Sequence, residues 1–267
     1  EIQRPLLMAL SRRLYKFRKY PALEEKIKKV LLDLARTTEN ENVLLTIMKC
    51  FENMIDERII PFAIKALDIW QTRASATDVL IKNRYHDATP KIVDLLLASK
   101  EDDDANLKPL INYLMMIGTP DAETAIYTYL SKVDHIPVRN VFKIECYQAL
   151  AMMARESDRA FEMVCEGVDS DKITNQRAAI RALKLVENRA ISILISLLQT
   201  DDARRPMAID ALASPVFRDA VPYLAPLLFD DTDRIDIKVA RTLQAINSDA
   251  AFAALNARDK QKDIPLI

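Results

Sequence analysis

Residues 168–186 read VDSDKITNQRAAIRALKLV, and this stretch decides the fold. Its apolar residues follow the spacing i, i+3, i+4, i+7 from Ala179 to Val186, which places them on one face of an amphipathic helix. The same spacing recurs about every thirty residues and predicts a series of equivalent helices. The equivalent sets are Leu110, Tyr113, Leu114 and Ile117; Cys146, Ala149, Leu150 and Met153; Ala208, Ala211 and Leu212; and Val239, Thr242, Leu243 and Ile246.

A second helix type alternates with the first. Alanines about thirty residues apart, from Ala160 to Ala250, each open a segment with a polar start, and 191–198 carries the helical spacing again. Pro61, Pro90 and Pro222 share one slot in the first turn of this helix type, where a missing N–H costs nothing. Two alternating helix types at a fixed period predict an all-α solenoid of about seven helical hairpins. We expect this solenoid to be right-handed.

The composition supports a helical fold. The chain has 267 residues and only 2 glycines, far below the roughly 7% of ordinary usage. Phosphate-binding loops, dinucleotide fingerprints and multi-hairpin β architectures all need glycine, so the composition argues strongly against them. Gly118 and Gly167 fall where apolar runs end, and we expect both to stop helices.

Three stretches resemble HEAT repeats, particularly the short HEAT-like repeats of phycobilisome lyases: 168–186, QTDDARRPMAIDALAS (199–214) and FDDTDRIDIKVARTLQAI (229–246). The shared features are an acidic turn, an early arginine and an A-x-x-A-L core. Lysine, alanine and glutamine replace the glycine that ends this helix in the family. The acidic residues are Asp171, Asp202 and Asp231, the arginines are Arg177, Arg205 and Arg234, and the replacements are Lys184, Ala213 and Gln244.

The resemblance divides the chain into segments of one continuous solenoid domain. It is close over 101–256 and looser over 22–100, with a basic amphipathic capping helix over 1–21 and a C-terminal tail over 257–267. We expect the connection around 131–140 and the stretch 71–87 to be longer than the other connections.

Charge is distributed unevenly along the chain. Residues 1–36 carry 10 basic and 4 acidic side chains, whereas the remainder carries 28 and 35. Within 6–19 an apolar stripe faces a basic one, which fits a polar cap on the repeat stack. The alternatives are docking to an acidic partner or to a neighbouring domain of a longer parent chain, and contact with an anionic membrane surface or nucleic acid. The basic residues of this stripe are Arg12, Arg13, Lys16 and Lys19.

Residues that carry catalysis are scarce. His86 and His135 lie far apart, and neither has a second histidine at metal-ligand spacing. Cys146 takes the slot of Ala179 in the repeat, which favours a small core side chain. The acidic runs are typical of capped helix starts. We therefore predict no catalytic residue, no cofactor and no metal site, and we expect the protein not to be an enzyme.

The resemblance implies that the second helix of each hairpin lines a concave face. Basic residues of these helices then favour a non-enzymatic scaffold or regulatory module that binds an acidic protein or peptide, unless they pair with neighbouring acidic turns. The alternatives are a binder of nucleic acid or anionic membrane through 6–19, with nucleic acid disfavoured by the acidic body, and a lyase-like enzyme on resemblance alone. The residues concerned are Arg177, Arg181, Lys184, Lys238 and Arg241.

Three cysteines without paired spacing favour a reducing, cytoplasmic compartment. No apolar stretch approaches the ~20 residues that a membrane-spanning helix needs. Since the chain starts at Glu1 rather than Met, an upstream targeting or membrane segment stays open as an alternative.

Overall fold

The computed structural model describes residues 19–99, 104–133 and 140–262. Within these ranges the chain is helical throughout and contains no strand, which confirms the all-α prediction. The chain forms two compact units, 1–129 and 130–267. The boundary between the two units lies inside a helix, and it does not coincide with any segment boundary predicted from the sequence.

The first unit contains six helices among its described residues and the start of a seventh. They are α1 (Pro21–Thr37), α2 (Glu41–Phe51), α3 (Ile60–Ala66, after the 3₁₀ turn Glu57–Ile59), α4 (Trp70–Lys82), α5 (Thr89–Ala98), α6 (Asp104–Ile117) and α7 (Pro120–Val133), which ends in the second unit.

The second unit continues with shorter helices and several 3₁₀ turns. The helices are α8 (Asn140–Met153), α9 (Asp158–Val168), α10 (Ile173–Leu183), α11 (Ile191–Leu197), α12 (Arg204–Ala211), α13 (Val221–Leu224), α14 (Ile235–Ile246) and α15 (Asp249–Lys262). The 3₁₀ turns are Lys184–Ala190, Pro215–Ala220, Ala225–Phe229 and Thr232–Arg234. Helix α15 extends past residue 257, where the tail was predicted to begin.

Every second helix packs on the next one of its type. In the first unit α2 contacts α4 and α4 contacts α6, while in the second unit α8, α10, α12 and α14 contact one another in sequence. The helices between them pack alongside, as α5 does on α6 and α9 on α10. The predicted apolar stripes supply the contact surface, because the following stripe residues are fully buried: Ala179, Leu183, Ala208, Leu212, Val239 and Leu243.

Hydrogen bonds between neighbouring helices join residues that are about one repeat apart in the sequence. The Tyr113 hydroxyl donates to the Tyr85 carbonyl at 2.6 Å, across 28 positions of sequence. In the second unit the Thr242 hydroxyl donates to the Ile209 carbonyl at 3.0 Å, across 33 positions. Buried carbonyls near helix ends thus find their donors about one repeat away, which satisfies polar groups that would otherwise be costly to bury.

Local signals at helix starts are confirmed. Pro61, Pro90 and Pro222 each lie in the first turn of a helix, α3, α5 and α13 respectively. The Asn40 side chain accepts hydrogen bonds from two backbone N–H groups at the start of α2, and the Ser157 hydroxyl accepts one at the start of α9.

The two glycines have different roles. Gly118 follows α6 with φ +65°, as expected of a residue that stops a helix. The prediction for Gly167 is wrong, because Gly167 lies inside α9 and α9 ends one residue later. A Cβ at this position would come within 2.3 Å of the Tyr147 ring, so glycine is needed for close packing against α8.

The expected long connection over 71–87 is also wrong, since α4 occupies most of it. The buried side of α4 includes Thr72, Ser75 and Thr77, which hides the apolar stripe from sequence reading. The Thr72 hydroxyl donates to the Ala66 carbonyl at 2.6 Å, and the Thr77 hydroxyl donates to the Arg73 carbonyl at 2.8 Å. These bonds allow polar side chains to be buried in a helix core.

Candidate functional site

Two groups of arginines in the second unit differ in their partners, and the first group links neighbouring repeats. Arg155 donates from Nε to the Leu185 carbonyl at 2.9 Å and pairs with Glu187 at 2.7 Å. Arg204 pairs with Asp202 within its own turn and Arg205 pairs with Asp230 in the next turn, both at 2.8 Å.

Arg189 has the most complete set of contacts in this group. One of its terminal nitrogens donates to the Ala154 carbonyl at 2.8 Å, and the other pairs with Asp158 at 2.5 Å. The guanidinium group also lies 4.5 Å from the centre of the Phe161 ring. Such arginines connect helix ends one repeat apart, so their role is structural.

The second group is exposed and unpaired. The side chains of Arg177, Arg181 and Arg241 have no ion pair or hydrogen bond with the part of the chain that the structure describes. All three were predicted from the sequence to bind a partner. Arg177 and Arg181 lie one turn apart on α10, and Arg241 lies on α14.

The other two predicted residues lie close to these helices but have partners. The Lys184 Nζ donates to the Ala213 carbonyl at 3.0 Å, just beyond the end of α12. The Lys238 Nζ on α14 lies 2.7 Å from a carboxylate oxygen of Asp210 on α12. The sequence left open that all five basic residues pair with neighbouring acidic turns. Among the described residues the three arginines do not do so, and the two lysines bond to α12 and to the residue just beyond its end instead.

Helix register relates these residues. Arg181, Asp210 and Arg241 each lie two positions after a stripe alanine or valine, so they occupy equivalent places on α10, α12 and α14. Because α12 packs between α10 and α14, its short Asp210 side chain lies between two neighbouring helices that carry arginines. We give the name cationic face to four basic residues of α10 and α14, together with the residue that follows α10 and the one that precedes α14. All except the partly buried Lys238 are exposed: Arg177, Arg181, Lys184, Arg234, Lys238 and Arg241.

A cleft of about 390 Å³ opens between α12 and α14, within the cationic face. Asp210 and Ala213 line it from the α12 side, and Arg234, Ile237 and Arg241 line it from the α14 side. The Ile237 side chain is unusual for this surface, since 42% of the residue is exposed. We call this feature the α12–α14 cleft.

The sequence predicts Arg234 only as an early arginine of the repeat motif, and it does not predict that Arg234 lines the cleft. Asp233 and Arg234 both have positive φ, 49° and 60°, directly before α14 begins. Non-glycine residues rarely adopt this conformation. No periodic pattern signals two left-handed residues in succession, so only the three-dimensional structure places Arg234 in the same cleft as Arg241.

The acidic turns are satisfied by their own neighbours. Hydrogen bonds from Arg204 hold the pKa of Asp202 below its ordinary value, and the Thr232 hydroxyl together with Arg205 does the same for Asp230. Within the described ranges, no group of three or more His, Cys, Asp or Glu side chains has an arrangement that could hold a metal ion.

Two of the three cysteines, Cys50 and Cys146, are buried, and Cys165 is partly buried. Burial raises the pKa of the Cys50 thiol to about 12, and it raises those of Cys146 and Cys165 as well. A thiolate is the reactive form of cysteine, so burial suppresses the nucleophilicity of all three residues. Cys146 is fully buried, in agreement with the core position that the repeat predicts.

A larger groove of about 510 Å³ lies in the first unit, between α5 and α7. Val93, Leu97 and Ile117 provide apolar lining, while His86 and Asp94 add polar groups. His86 is exposed, and its carbonyl oxygen accepts a hydrogen bond from Thr89. The second histidine, His135, lies outside the described residues.

The predicted N-terminal binding residues Arg12, Arg13 and Lys16 also lie outside the described residues, whereas Lys19 is described and exposed. Among the described helices, none combines the length and apolar character needed to cross a membrane. No protein-family model matches the chain, and no curated protein matches it at a significant level.

Proposed function

We propose that the chain is a non-enzymatic scaffold of HEAT-like hairpins, and that its second unit binds an acidic protein or peptide segment on the cationic face. The packing of every second helix on the next of its type supports the repeat proposal. In such a stack the equivalent side chains of successive helices form a continuous surface, which suits an extended partner.

One observation carries the functional proposal: Arg177, Arg181 and Arg241 are exposed and have no partner among the described residues, while the other arginine group of the same unit binds carbonyls and carboxylates. Nothing in the packing of the described residues requires a guanidinium group at these three positions. Arginine presents five donors in a planar fork that matches a carboxylate, so unpaired arginines in a row favour an acidic partner.

The expected interaction is electrostatic and sensitive to salt. Each exposed arginine–carboxylate pair contributes about 1 kcal/mol or less, so affinity has to come from several pairs acting together. Charge complementarity of this kind accelerates association and weakens as ionic strength rises. We therefore expect tighter binding at low salt than at about 0.15 M.

The test uses the full chain and fluorescein-labelled poly-L-glutamate, with binding followed by fluorescence anisotropy. The Arg181→Glu/Arg241→Glu variant should weaken binding at least about tenfold, since it replaces attraction by repulsion at two central positions. Arg218→Glu is the matched control, because Arg218 is equally exposed and unpaired but lies on the 3₁₀ turn before α13. Circular dichroism should be unchanged in both variants.

Two results would overturn the proposal. The first is equal affinity of the wild type and the Arg181→Glu/Arg241→Glu variant. The second is binding of duplex DNA or phosphatidylserine vesicles that survives this change but is abolished by Arg12→Glu/Arg13→Glu/Lys16→Glu. The second result would support the alternative that 6–19 binds an anionic surface.

A further inference from the structure

We infer that the α12–α14 cleft is the specificity-determining subsite of the cationic face, and that it takes a segment with two acidic side chains flanking an apolar one. This inference rests on the proposed function and adds the chemical pattern of the partner. Three features of the cleft support it: its shape, its charge and the exposed Ile237 side chain.

The shape follows from side-chain length. On the cleft side of α12 and just beyond its end, the lining residues are Asp210 and Ala213, while α14 contributes Ile237, Lys238 and Arg241. Short side chains on one helix beside long ones on the next leave a depression along α12 rather than a flat surface. The Lys184 Nζ, just beyond the end of α10, donates to the carbonyl of the lining residue Ala213.

The basic residues that line the cleft differ in whether they have an acidic partner. Lys238 is neutralised by Asp210 at 2.7 Å. Arg234 and Arg241 remain without a partner among the described residues, and Asp233 is the remaining carboxylate of the lining. Apart from the Lys238–Asp210 pair, the charged residues that line the cleft are two arginines and one carboxylate. The cleft therefore favours an anionic group over a cationic one.

The spacing of the arginines sets the pattern of the ligand. Arg234 directly precedes α14, Lys238 and Arg241 follow it by four and seven positions, and all three line the cleft. At 1.5 Å per residue, the positions of Arg234 and Arg241 are about 10 Å apart along the helix axis. A segment in the polyproline conformation rises about 3.1 Å per residue and repeats its face every three residues. Acidic side chains three positions apart therefore match the two arginines.

Ile237 supplies the apolar part of the site. It lies between the two arginines in sequence, and 42% of its surface is exposed in a cleft whose other lining residues, apart from Ala213, are polar or charged. An apolar ligand side chain placed between the two acidic ones would cover Ile237 and remove both surfaces from water. A purely acidic ligand leaves this surface exposed, so the apolar residue is what distinguishes the preferred ligand.

The test compares three labelled peptides on the full chain, with identical flanking Gly-Ser sequence and the cores Glu-Ser-Leu-Glu, Glu-Ser-Ser-Glu and Lys-Ser-Leu-Lys. We expect the first to bind about fivefold more tightly than the second, and the third not to bind. Ile237→Ser should remove the difference between the first two peptides. Arg234→Ala and Arg241→Ala should each weaken the first peptide about fivefold.

The outcomes separate this inference from the proposed function. If poly-L-glutamate binds through Arg181 but the leucine peptide has no advantage, or if Ile237→Ser leaves its advantage intact, the inference fails and the proposed function stands. If neither poly-L-glutamate nor any of the acidic peptides binds, both fail. Arg177→Ala provides a reference within the cationic face but outside the cleft, and it should weaken both acidic peptides equally.

Discussion

Equivalent positions on one helix of each unit, α4 and α10, carry opposite charges. On α4 of the first unit, Ala76, Val79 and Leu80 are buried in the same pattern as Ala179, Ala182 and Leu183 on α10 of the second unit. Asp78 therefore occupies on α4 the place that Arg181 occupies on α10. Asp78 is half-buried and Arg181 is exposed, although both lie two positions after a buried alanine.

This difference shows which positions the fold leaves free. The stripe must be apolar in both units because it forms the contact between neighbouring helices. The position between the stripe residues needs no particular charge, since it is acidic on α4 and α12 and basic on α10 and α14. Residues at such positions can therefore serve a partner, and those with no internal bond, such as Arg181, are the strongest candidates.

The units also differ in the bonds that link neighbouring repeats. In the first unit the backbone N–H of Asp56 donates to the Asn83 side chain at 2.8 Å, and the Tyr113 hydroxyl donates to the Tyr85 carbonyl. In the second unit arginines such as Arg155 and Arg189 make many of the corresponding links. Because arginines of the second unit make structural links between repeats, those without a partner among the described residues are candidates for binding another molecule.

The largest expected effect comes from placing a charge in the stripe. Leu183→Asp in the second unit should cost about 4 kcal/mol or more, because it buries an unpaired carboxylate and leaves a cavity. Leu80→Asp should do the same in the first unit. Circular dichroism at 222 nm and thermal unfolding would measure the loss of helix, and limited proteolysis would show which unit is cleaved.

Arg181→Ala is the matched control for this experiment, since it removes a side chain from the exposed side of the same helix as Leu183. Its unfolding temperature should stay close to that of the wild type. Unchanged helicity and melting in Leu183→Asp would mean that the proposed register of the repeat is wrong. Unfolding of both units together would show that their stabilities are coupled.

The glycines provide a smaller effect with a different cause in each unit. Gly167→Ala in the second unit places a Cβ 2.3 Å from the Tyr147 ring and should cost about 2 kcal/mol through overpacking. Gly118→Ala in the first unit meets only the Met115 carbonyl at 3.9 Å, but φ is +65°, so strain of about 1 kcal/mol is expected.

A double variant distinguishes the two causes. Combining Gly167→Ala with Tyr147→Ala should cost less than the sum of the two single changes, because the added methyl group then has space. Gly118→Ala combined with Tyr147→Ala should be additive. Additive free energies of unfolding for the Gly167 pair, from urea denaturation, would contradict the close-packing role of Gly167.

The part of the fold that the sequence predicts is the part built from local, periodic signals. The buried stripe is predicted by the spacing of residues such as Leu183, Leu212 and Leu243, and a helix start is predicted by Pro90. Helix α4 was missed because hydroxyls of residues such as Thr72 are buried by hydrogen bonds to carbonyls, which polar sequence positions do not reveal.

The candidate site was predictable only as a set of exposed cations. The sequence indicates that Arg177, Arg181 and Arg241 recur on equivalent helices, but it does not show which arginines are paired. Pairing depends on groups about one repeat away, as with Arg189 and the Ala154 carbonyl. The cleft depends further on the left-handed conformation of Arg234, for which no local signal exists.

The smallest expected effect tests the acidic member of the opening comparison. Burial, together with the charge of Glu52, raises the pKa of Asp78 from 3.8 to about 6. Between about pH 4 and 6 the folded state holds a proton that the unfolded state has released, so stability falls as pH rises through this window. Asp78→Asn should therefore stabilise the protein at pH 7.5, by about 1 kcal/mol after solvent screening, and have little effect below pH 4.

Asp56 in the same unit supplies a control of opposite sign. Its hydrogen bonds from Arg58 hold the pKa of this carboxyl below 3.8, so its contribution to stability is present at neutral pH and is lost as pH falls through the lowered pKa. Asp56→Asn should destabilise the protein at pH 7.5, where Asp78→Asn stabilises it. Urea denaturation across pH 4 to 7.5 measures both. A stabilisation by Asp78→Asn that does not change with pH would show that burial of the charge is not the cause, since an uncharged cause has no reason to disappear when Asp78 is protonated.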